Sequence, residues 1–360
     1  MKSFDNKKVV IIGGAGGLGK TYARELLKEG AHVFLGGRNL DRLESAIEEL
    51  GETIEYASVD LADVNSIEVF AKEVEHWNKK IDFVINATGM DVRKALQYHS
   101  NEEIQNSIGI NLTGSIILTK IMLPLIGEEK GNAIVHMGGF GDGTIAFPYY
   151  TADVASRAGL HAFAESLNRE LKQEKRKVRI IYFCPNSADT EAERPFHPIW
   201  KEMNIAISTP EQVWQKLRIA VLRGKTSYQM GMVTRLFSKI NGLSPRFGDI
   251  IALNSYSRIL QKHLSPHGMV EDNKEDDNKK LKWKGLAVAF IVLSFLIYVV
   301  LPFNLCLPFS GSIIAALTAG MMIVSEIIFW IGCIILGKEL ASKYRSYLNP
   351  MNWIHCLCRK

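Results

Sequence analysis

Cysteine is scarce in this chain of 360 residues, and what there is comes late: Cys184, Cys306, Cys333, Cys356 and Cys358. The number is odd, and no pair before the tail has metal-ligand or redox spacing. That argues against a disulfide framework and for a reducing, cytoplasm-facing compartment with no metal site. The two tail cysteines leave lipidation or metal binding open beside the plainer reading as ordinary thiols. A long basic block is also missing. The net charge is +5, with Lys and Arg scattered among Asp and Glu, so nucleic acid is not an expected partner. Met1-Lys2-Ser3-Phe4-Asp5 runs directly into a strand, so no signal or transit peptide is expected. No repeat of solenoid period is found.

What is present is an alternation. Lys8–Ile12 is a β-branched run that ends in glycines, and Thr21–Glu29 follows with helical periodicity, Tyr22, Leu26 and Leu27 on one face. The pattern then repeats as strand His32–Leu35, helix Leu40–Leu50, strand Ile54–Ser58, helix Val64–Trp77 and strand Phe83–Asn86. Helix Glu102–Leu123, strand Ala133–Met137, helix Thr151–Gln173 and strand Val178–Phe183 complete it. Strands alternating with helices predict an α/β fold, a Rossmann-type doubly wound parallel sheet with right-handed crossovers. That domain is expected over 1–264.

After Leu264 the composition changes. Residues 265–284 form a polar, mixed-charge linker. Gly285–Phe303 and Ile313–Leu336 are apolar runs of bilayer-crossing length, joined by a short turn between Pro302 and Pro308. Two buried core helices are the alternative, but both runs are apolar all round, whereas a core helix keeps a polar stripe. The expected layout is a transmembrane hairpin over 285–337 and a basic juxtamembrane tail over 338–360. Lys279, Lys280, Lys282 and Lys284 precede the first run, Lys338, Lys343 and Arg345 follow the second, and the turn is uncharged. By the positive-inside rule the nucleotide-binding domain and both termini lie in the cytoplasm, and the chain is integral with two spans and membrane lipid around them. Glu326 inside the second run implies either a membrane-protein partner or homo-oligomer contact, or a protonated carboxyl bonded within the hairpin.

The turn after the first strand reads Ile12-Gly13-Gly14-Ala15-Gly16-Gly17-Leu18-Gly19. Glycines are needed there for the tight turn, for close approach of backbone to a pyrophosphate and for packing of helix on strand. The helix N-terminus adds free N–H groups and a positive dipole end. Its place between a strand and a helix supports nucleotide binding over a merely tight turn. Gly13, Gly17 and Gly19 resemble the T-G-x-x-x-G-x-G signature of the short-chain dehydrogenase/reductases, with Ile12 in place of threonine. Asp60-Leu61 matches that family's adenine-contacting pair, and Asn86-Ala87-Thr88-Gly89 resembles its N-N-A-G. Asn111 matches its mid-helix asparagine, and Pro185 to Thr190 resembles the P-G-x-x-x-T segment at the nicotinamide. The resemblance covers roughly the first 190 residues. It implies a nicotinamide dinucleotide held by Gly13, Gly17, Leu18, Gly19, Asp60, Leu61, Asn86, Gly89, Pro185 and Thr190.

Charge selects between the two cofactors. An acid after the second strand would bond the ribose hydroxyls of NAD and repel a 2′-phosphate. Here the strand ends Leu35-Gly36-Gly37-Arg38, with no acid and a guanidinium fork suited to phosphate. NADP is therefore expected over NAD, with Arg38 as a merely solvated loop residue the alternative.

The family's chemistry resides in a tyrosine acid/base, a lysine four residues on, and a serine. Ser156-Arg157-Ala158-Gly159-Leu160 aligns with the S-K-A-x-L that follows that tyrosine, so Arg157 takes the lysine position and Asp153 the tyrosine position. Gly138-Gly139 stands where serines would be. Asp153 and Arg157 at i, i+4 make a favourable helical ion pair, which predicts an ionised Asp153 that donates protons poorly. Arg157 could still bond ribose hydroxyls, but it does not titrate. Tyr150 is either a displaced acid or a packing residue, and His136 reads as a strand residue facing a helix rather than a catalyst. Candidate catalytic residues are thus Asn111, Tyr150 and Asp153.

The tail from Trp283 to Trp353, through Phe329-Trp330 and Tyr347-Leu348-Asn349-Pro350, resembles the two-helix module known as a transporter suffix domain. Two functions follow. One is a membrane-anchored NADP-dependent oxidoreductase acting on a hydrophobic carbonyl or alcohol, with Phe196, Pro198 and Trp200 compatible with an apolar substrate lid. The other is a nucleotide-binding pseudoenzyme that regulates or scaffolds a membrane partner.

Overall fold

The computed structural model describes residues 3–51, 54–139, 145–265, 289–301, 304 and 310–336. The chain divides into two compact units, Met1–Ala252 with Tyr256–Gly268 and Leu253–Ser255 with Met269–Lys360. In the first, β1 (Lys8–Ile12), α1 (Gly17–Lys28), β2 (His32–Gly37), α2 (Leu40–Leu50), β3 (Glu55–Ser58), α3 (Val64–Trp77) and β4 (Phe83–Asn86) form one half. The other half is α4 (Asn101–Ile108), a π-helical turn Gly109–Gly114, α5 (Ser115–Met122), β5 (Ala133–Met137), α6 (Thr151–Gln173), β6 (Arg179–Cys184) and β7 (Ser227–Gln229).

Seven strands among the described residues make one parallel sheet in the order β3-β2-β1-β4-β5-β6-β7. This is the doubly wound Rossmann arrangement. The central strands carry near-continuous apolar runs because both their faces are covered by helices. Val9 and Ile11 of β1 join Tyr22, Leu26 and Trp214 on one side, while Val10 and Ile12 join Phe70, Leu118 and Leu160 on the other. Chain order reverses between β1 and β4, and the crevice at that switch point is where such sheets hold ligands.

Most expected elements are found with the expected bounds. Helix α1 begins four residues before its apolar periodicity does, because its first turn is glycine-rich and buries backbone rather than side chains. The helix expected over Glu102–Leu123 is interrupted by the π turn that contains Asn111. A π turn inserts one residue into the helical register and is common where a side chain must be aimed at a site. Gly114 within it packs against the Leu61 carbonyl, where a β-carbon would collide. A third apolar cluster, including Phe147, Tyr150, Trp200, Met203, Phe237 and Leu260, gathers segments beyond β5 and β6.

In the second unit, apolar helices Ala289–Val300 and Gly311–Leu336 are described. Ser325 Oγ donates to the Ser294 carbonyl at 2.8 Å, and Phe295 meets Phe329 edge to face. Glu326 accepts from Trp330 Nε1 at 3.1 Å and from the Tyr298 hydroxyl at 3.5 Å. Gly311–Gly332 is long and apolar enough to cross a membrane, while Ala289–Val300 is shorter. Asn101–Leu125 passes the same length and composition test, but its Leu118 and Met122 are buried in the sheet-covering core. Residues 266–284 of the expected linker, the lysines flanking the hairpin, the basic tail and the tail cysteines lie outside the described residues.

Candidate functional site: a nucleotide cleft beside a charged cavity

The first part of the site is backbone. Gly13, at the end of β1, adopts a left-handed φ of 82° that side chains rarely tolerate. A β-carbon on Gly19 would run into the Gly13 carbonyl, and one on Gly17 would come within 2.7 Å of Thr190. The glycines thus let helix α1, the turn and the Pro185–Thr190 segment close on one another. A cleft of about 730 Å³ opens here, lined by Gly13, Gly16, Arg38, Arg42, Asp60 and Leu61, and reaching Thr88, Gly89 and Met90. Asp60 caps its own loop, its carboxylate accepting from Ala62 N at 2.9 Å. Asn86 is buried; it donates to Ser115 Oγ at 2.9 Å and accepts from Thr88 Oγ1 at 2.6 Å, which fixes the strand end.

Where β4 leaves the sheet, Asp91 and Arg93 pass from this cleft into a second cavity of about 190 Å³. Leu18, Gly138, Gly139, Tyr150, Asp153 and Arg157 line it, together with Pro185 and Thr190. The carboxylates and guanidiniums alternate in a chain. Glu193 pairs with Arg93 at 2.7 Å and Arg93 with Asp91 at 2.9 Å; Asp91 pairs with Arg157 at 3.4 Å and Arg157 with Asp153 at 3.2 Å. Arg157 also donates to the Met137 carbonyl at 2.7 Å. Its guanidinium is thereby committed within the protein, and Gly89 must be bare to admit it. Arg93 stacks on the Phe196 ring at 4.0 Å, and Trp200 Nε1 donates to Glu193 at 2.7 Å, so the segment from Glu193 to Trp200 is tied to the charge chain.

Asn111 accepts from Met90 N and donates to the Met90 carbonyl, both at 2.9 Å. The same amide lies 3.3 Å from Asp153 Oδ1 and 3.2 Å from Ser156 Oγ. Tyr150 caps α6 after Tyr149, itself at φ 70°. Its buried hydroxyl has no hydrogen-bond partner among the described residues. Burial is the main reason that hydroxyl is pushed well above the usual phenol range. His136 lies in the core between Thr119 Oγ1 at 2.7 Å and Asn86 at 3.4 Å. Burial, aided by the Arg157 charge, pushes its imidazole down to about 4.

One expectation is overturned. Arg157 alone would keep Asp153 ionised, but burial and the neighbouring Asp91 charge outweigh it and raise the Asp153 carboxyl to about 7. Asp91 goes the other way. Burial would raise it, yet Arg157 and Arg93 together hold it below the usual carboxylate range. Ion pairing at i, i+4 describes a solvated helix face; here the pair is buried and a third charge decides. Asp91, Arg93, Glu193 and Arg42 did not stand out in the sequence. The available signal was an acid and a base, Asp91-Val92-Arg93, in the loop that follows the end of β4 at Asn86, on the side where crevice residues of a parallel sheet lie.

Known proteins give the setting. The family profile described as short chain dehydrogenase matches residues 7–198. A fatty acyl-CoA reductase of Acinetobacter baylyi is 29% identical over 181 residues, 49% of this chain and 61% of that protein. The chain therefore spans about three fifths of that relative's length. A 3-dehydrosphinganine reductase of Arabidopsis thaliana is 27% identical over 299 residues, 76% of this chain and 88% of that one. In structure, a short chain dehydrogenase/reductase from Burkholderia phymatum in complex with NAD superposes with a TM-score of 0.62 at 16% identity. It covers 68% of this chain and 96% of that chain, and the likeness is one of fold.

Proposed function

This chain belongs to the short-chain dehydrogenase family, and from that premise we propose that it reduces the carbonyl of a long-chain lipid with NADPH while its apolar hairpin holds it at a membrane. The observation that carries the reading is the cavity beside the nucleotide cleft, where aromatic and aliphatic side chains (Phe147, Tyr150, Trp200, Met203, Leu260) face a small charged floor. Apolar walls with a few convergent polar groups are what a hydrophobic carbonyl needs. Two relatives are named for reduction of fatty acyl-CoA and of 3-dehydrosphinganine.

The cleft fits a nicotinamide dinucleotide, since bare glycines at 17 and 19 let the turn pack tightly on helix α1 and Gly13 and Gly16 offer backbone as the cleft wall. Bound there, the reduced dinucleotide would supply hydride. The protein's part is to hold and to protonate. Arg38 and Arg42 present two guanidiniums to the cleft, and Gly37 stands where NAD selection would place an acid, which favours NADP. Asp60 and Leu61 flank the adenine end, and Asn86, Gly89, Pro185 and Thr190 the nicotinamide end. Asn111 clamps the Met90 backbone beneath them. The hairpin reading rests on the apolar length of Gly311–Gly332 and on the lysines that flank both runs; by the positive-inside rule those lysines favour a cytoplasmic enzyme-like unit and cytoplasmic termini.

A second reading, a nucleotide-binding protein without turnover that serves a membrane partner through the hairpin and Glu326, is favoured by one observation. Arg157, in the position of the family's lysine, spends its hydrogen bonds on Asp153, Asp91 and Met137. The test is an assay of the full chain in detergent with NADPH and ketones of increasing chain length, alongside a direct cofactor titration. Binding with turnover that rises with chain length is expected. Binding without turnover would favour the regulatory reading, and absence of binding would sink both.

A further inference from the structure

Where the family keeps tyrosine and lysine, this chain has two carboxyls bridged by one guanidinium. Asp153 is held through one oxygen: Oδ1 receives Arg157 Nε at 3.2 Å and Asn111 Nδ2 at 3.3 Å. Its Oδ2 faces Gly139, where a β-carbon would sit 3.3 Å away. The side chain missing at 139 therefore leaves that oxygen as wall of the cavity, which Asp91 and Asp153 both line. Both carboxyls bind the one guanidinium of Arg157, Asp91 at 3.4 Å and Asp153 at 3.2 Å. Two carboxylates on one guanidinium disfavour each other's ionisation, so the pair holds its last proton more tightly than either would alone. Geometry decides where it rests. Asp91 has two guanidiniums, Arg93 at 2.9 Å and Arg157 at 3.4 Å, and a side chain 34% exposed. Among the described residues Asp153 pairs with Arg157 alone, and its side chain is 7% exposed.

We infer that Asp153, paired with Asp91 across Arg157, is the acid that protonates the substrate oxygen in carbonyl reduction, an inference that rests on the reductase reading above. The carbonyl carbon gains a hydride from the reduced nicotinamide dinucleotide, and the C=O π pair moves onto oxygen. That oxygen takes the proton as the Asp153 O–H bond breaks. The two carboxylates are then both charged between Arg157 and Arg93, and one proton from water resets the pair. Alcohol oxidation is the same sequence reversed. Asp91 acts through Asp153 and is a positioning residue.

The charged and titratable groups around the pair come from every neighbouring segment. Arg157 and Tyr150 belong to α6 and its cap, Arg93 follows β4, and Glu193 belongs to the segment that runs to Trp200. His136 lies on β5 and Tyr182 on β6. Burial pushes both tyrosine hydroxyls up and the imidazole down, so none of the three competes as a neutral-pH acid. Burial and Asp91 bring Asp153 to about 7, within the range where an acid can both hold and release a proton at physiological pH.

Infrared difference spectra of the full chain with and without NADPH, taken against pH, read the proton without turnover. A protonated-carboxyl band should fade as pH rises through about 7. It should vanish in Asp153→Asn and fade at lower pH in Asp91→Asn, where the neighbouring negative charge is gone. Carbonyl reduction should slow above the same pH, with the break moved down in Asp91→Asn, and Asp153→Asn should lose about 10²- to 10⁴-fold in kcat with NADPH affinity retained. In Tyr150→Phe both band and break should remain. Turnover that survives Asp153→Asn, or a break that disappears in Tyr150→Phe, would overturn the inference and leave the reductase reading standing. Absence of the band at pH 6 would overturn it whatever the turnover. A band without turnover on any ketone would remove the reductase reading, and with it the delivery step, while establishing the protonated carboxyl.

Discussion

The glycine-lined cleft and the charged cavity lie side by side at the carboxyl ends of one sheet, yet they are built on different physics. The cleft is made of backbone: glycines at 13, 17 and 19 that let main chain approach main chain, and a helix N-terminus with free N–H groups. Its demands are local and allow few substitutes. The cavity is made of charge, with Glu193, Arg93, Asp91, Arg157 and Asp153 drawn from three separate stretches of chain into one alternating row. A charge row can be rewritten as long as every member stays paired, because what a buried network requires is balance rather than particular residues.

The strongest way to probe the contrast is pH, which acts on buried charge. His136, held near 4 against an ordinary 6.5, contributes stability that is whole above about 6.5 and is lost as pH falls through 4, about 3 kcal/mol in all. Asp153, raised to about 7 from 3.8, contributes stability that is whole below about 4 and is lost as pH rises through 7. Between these limits the two oppose each other. Thermal unfolding midpoints of the natural protein should therefore change little from pH 4.5 to 6.5 in this respect. His136→Asn should lose stability with rising pH, and Asp153→Asn should gain it. Identical slopes in all three proteins would show that neither group titrates in the fold as described.

A smaller effect is expected from restoring what the family keeps. A β-carbon on Gly138 would lie 2.6 Å from the Tyr182 ring and 2.7 Å from Cys184 Sγ, whereas one on Gly139 meets nothing nearer than 3.3 Å. Gly138→Ser should cost about 1–3 kcal/mol by overpacking, and Gly139→Ser clearly less. Denaturant midpoints compared side by side check this; equal costs would mean that the wall beside the cavity yields as easily as the cavity itself.

The smallest effect falls on the cleft. If Arg38 receives a 2′-phosphate, NADPH should bind more tightly than NADH, and Arg38→Ala should remove about a tenfold preference, about 1.4 kcal/mol. Arg42, in the same cleft, would retain part of it. Equal calorimetric affinity of the natural protein for both nucleotides would remove the charge argument for NADP.

Most of the framework was legible in the chain. Helices α2, α3 and α6 and strands β1, β4 and β5 stand where periodicity and end signals put them, because Asn39 and Asp63 cap their helices through contacts two or three residues away and Gly51 ends one in the left-handed conformation. The helix around Asn111 was legible as a helix but not as a π turn, since that distortion comes from packing on Leu61 and Met90 rather than from its own residues. Glu326 shows the same limit in the second unit: sequence gave it two readings, and its contacts with Tyr298 and Trp330 belong to the packing of one helix on another.

By itself the sequence determined the sheet, the glycine turn, the two apolar runs and the residue types Asp153, Arg157 and Gly138-Gly139 that depart from the tyrosine, lysine and serine of the family pattern it resembles. Each of these is a matter of spacing or residue type within a few positions. Only the tertiary structure decided what surrounds those residues. The protonation of Asp153 depends on Asp91, 62 positions earlier in the chain, and on burial that no local pattern encodes. An ion pair read along a helix gives the sign of one interaction. The sign of the whole follows from every charge that folding brings within reach and from the water it removes.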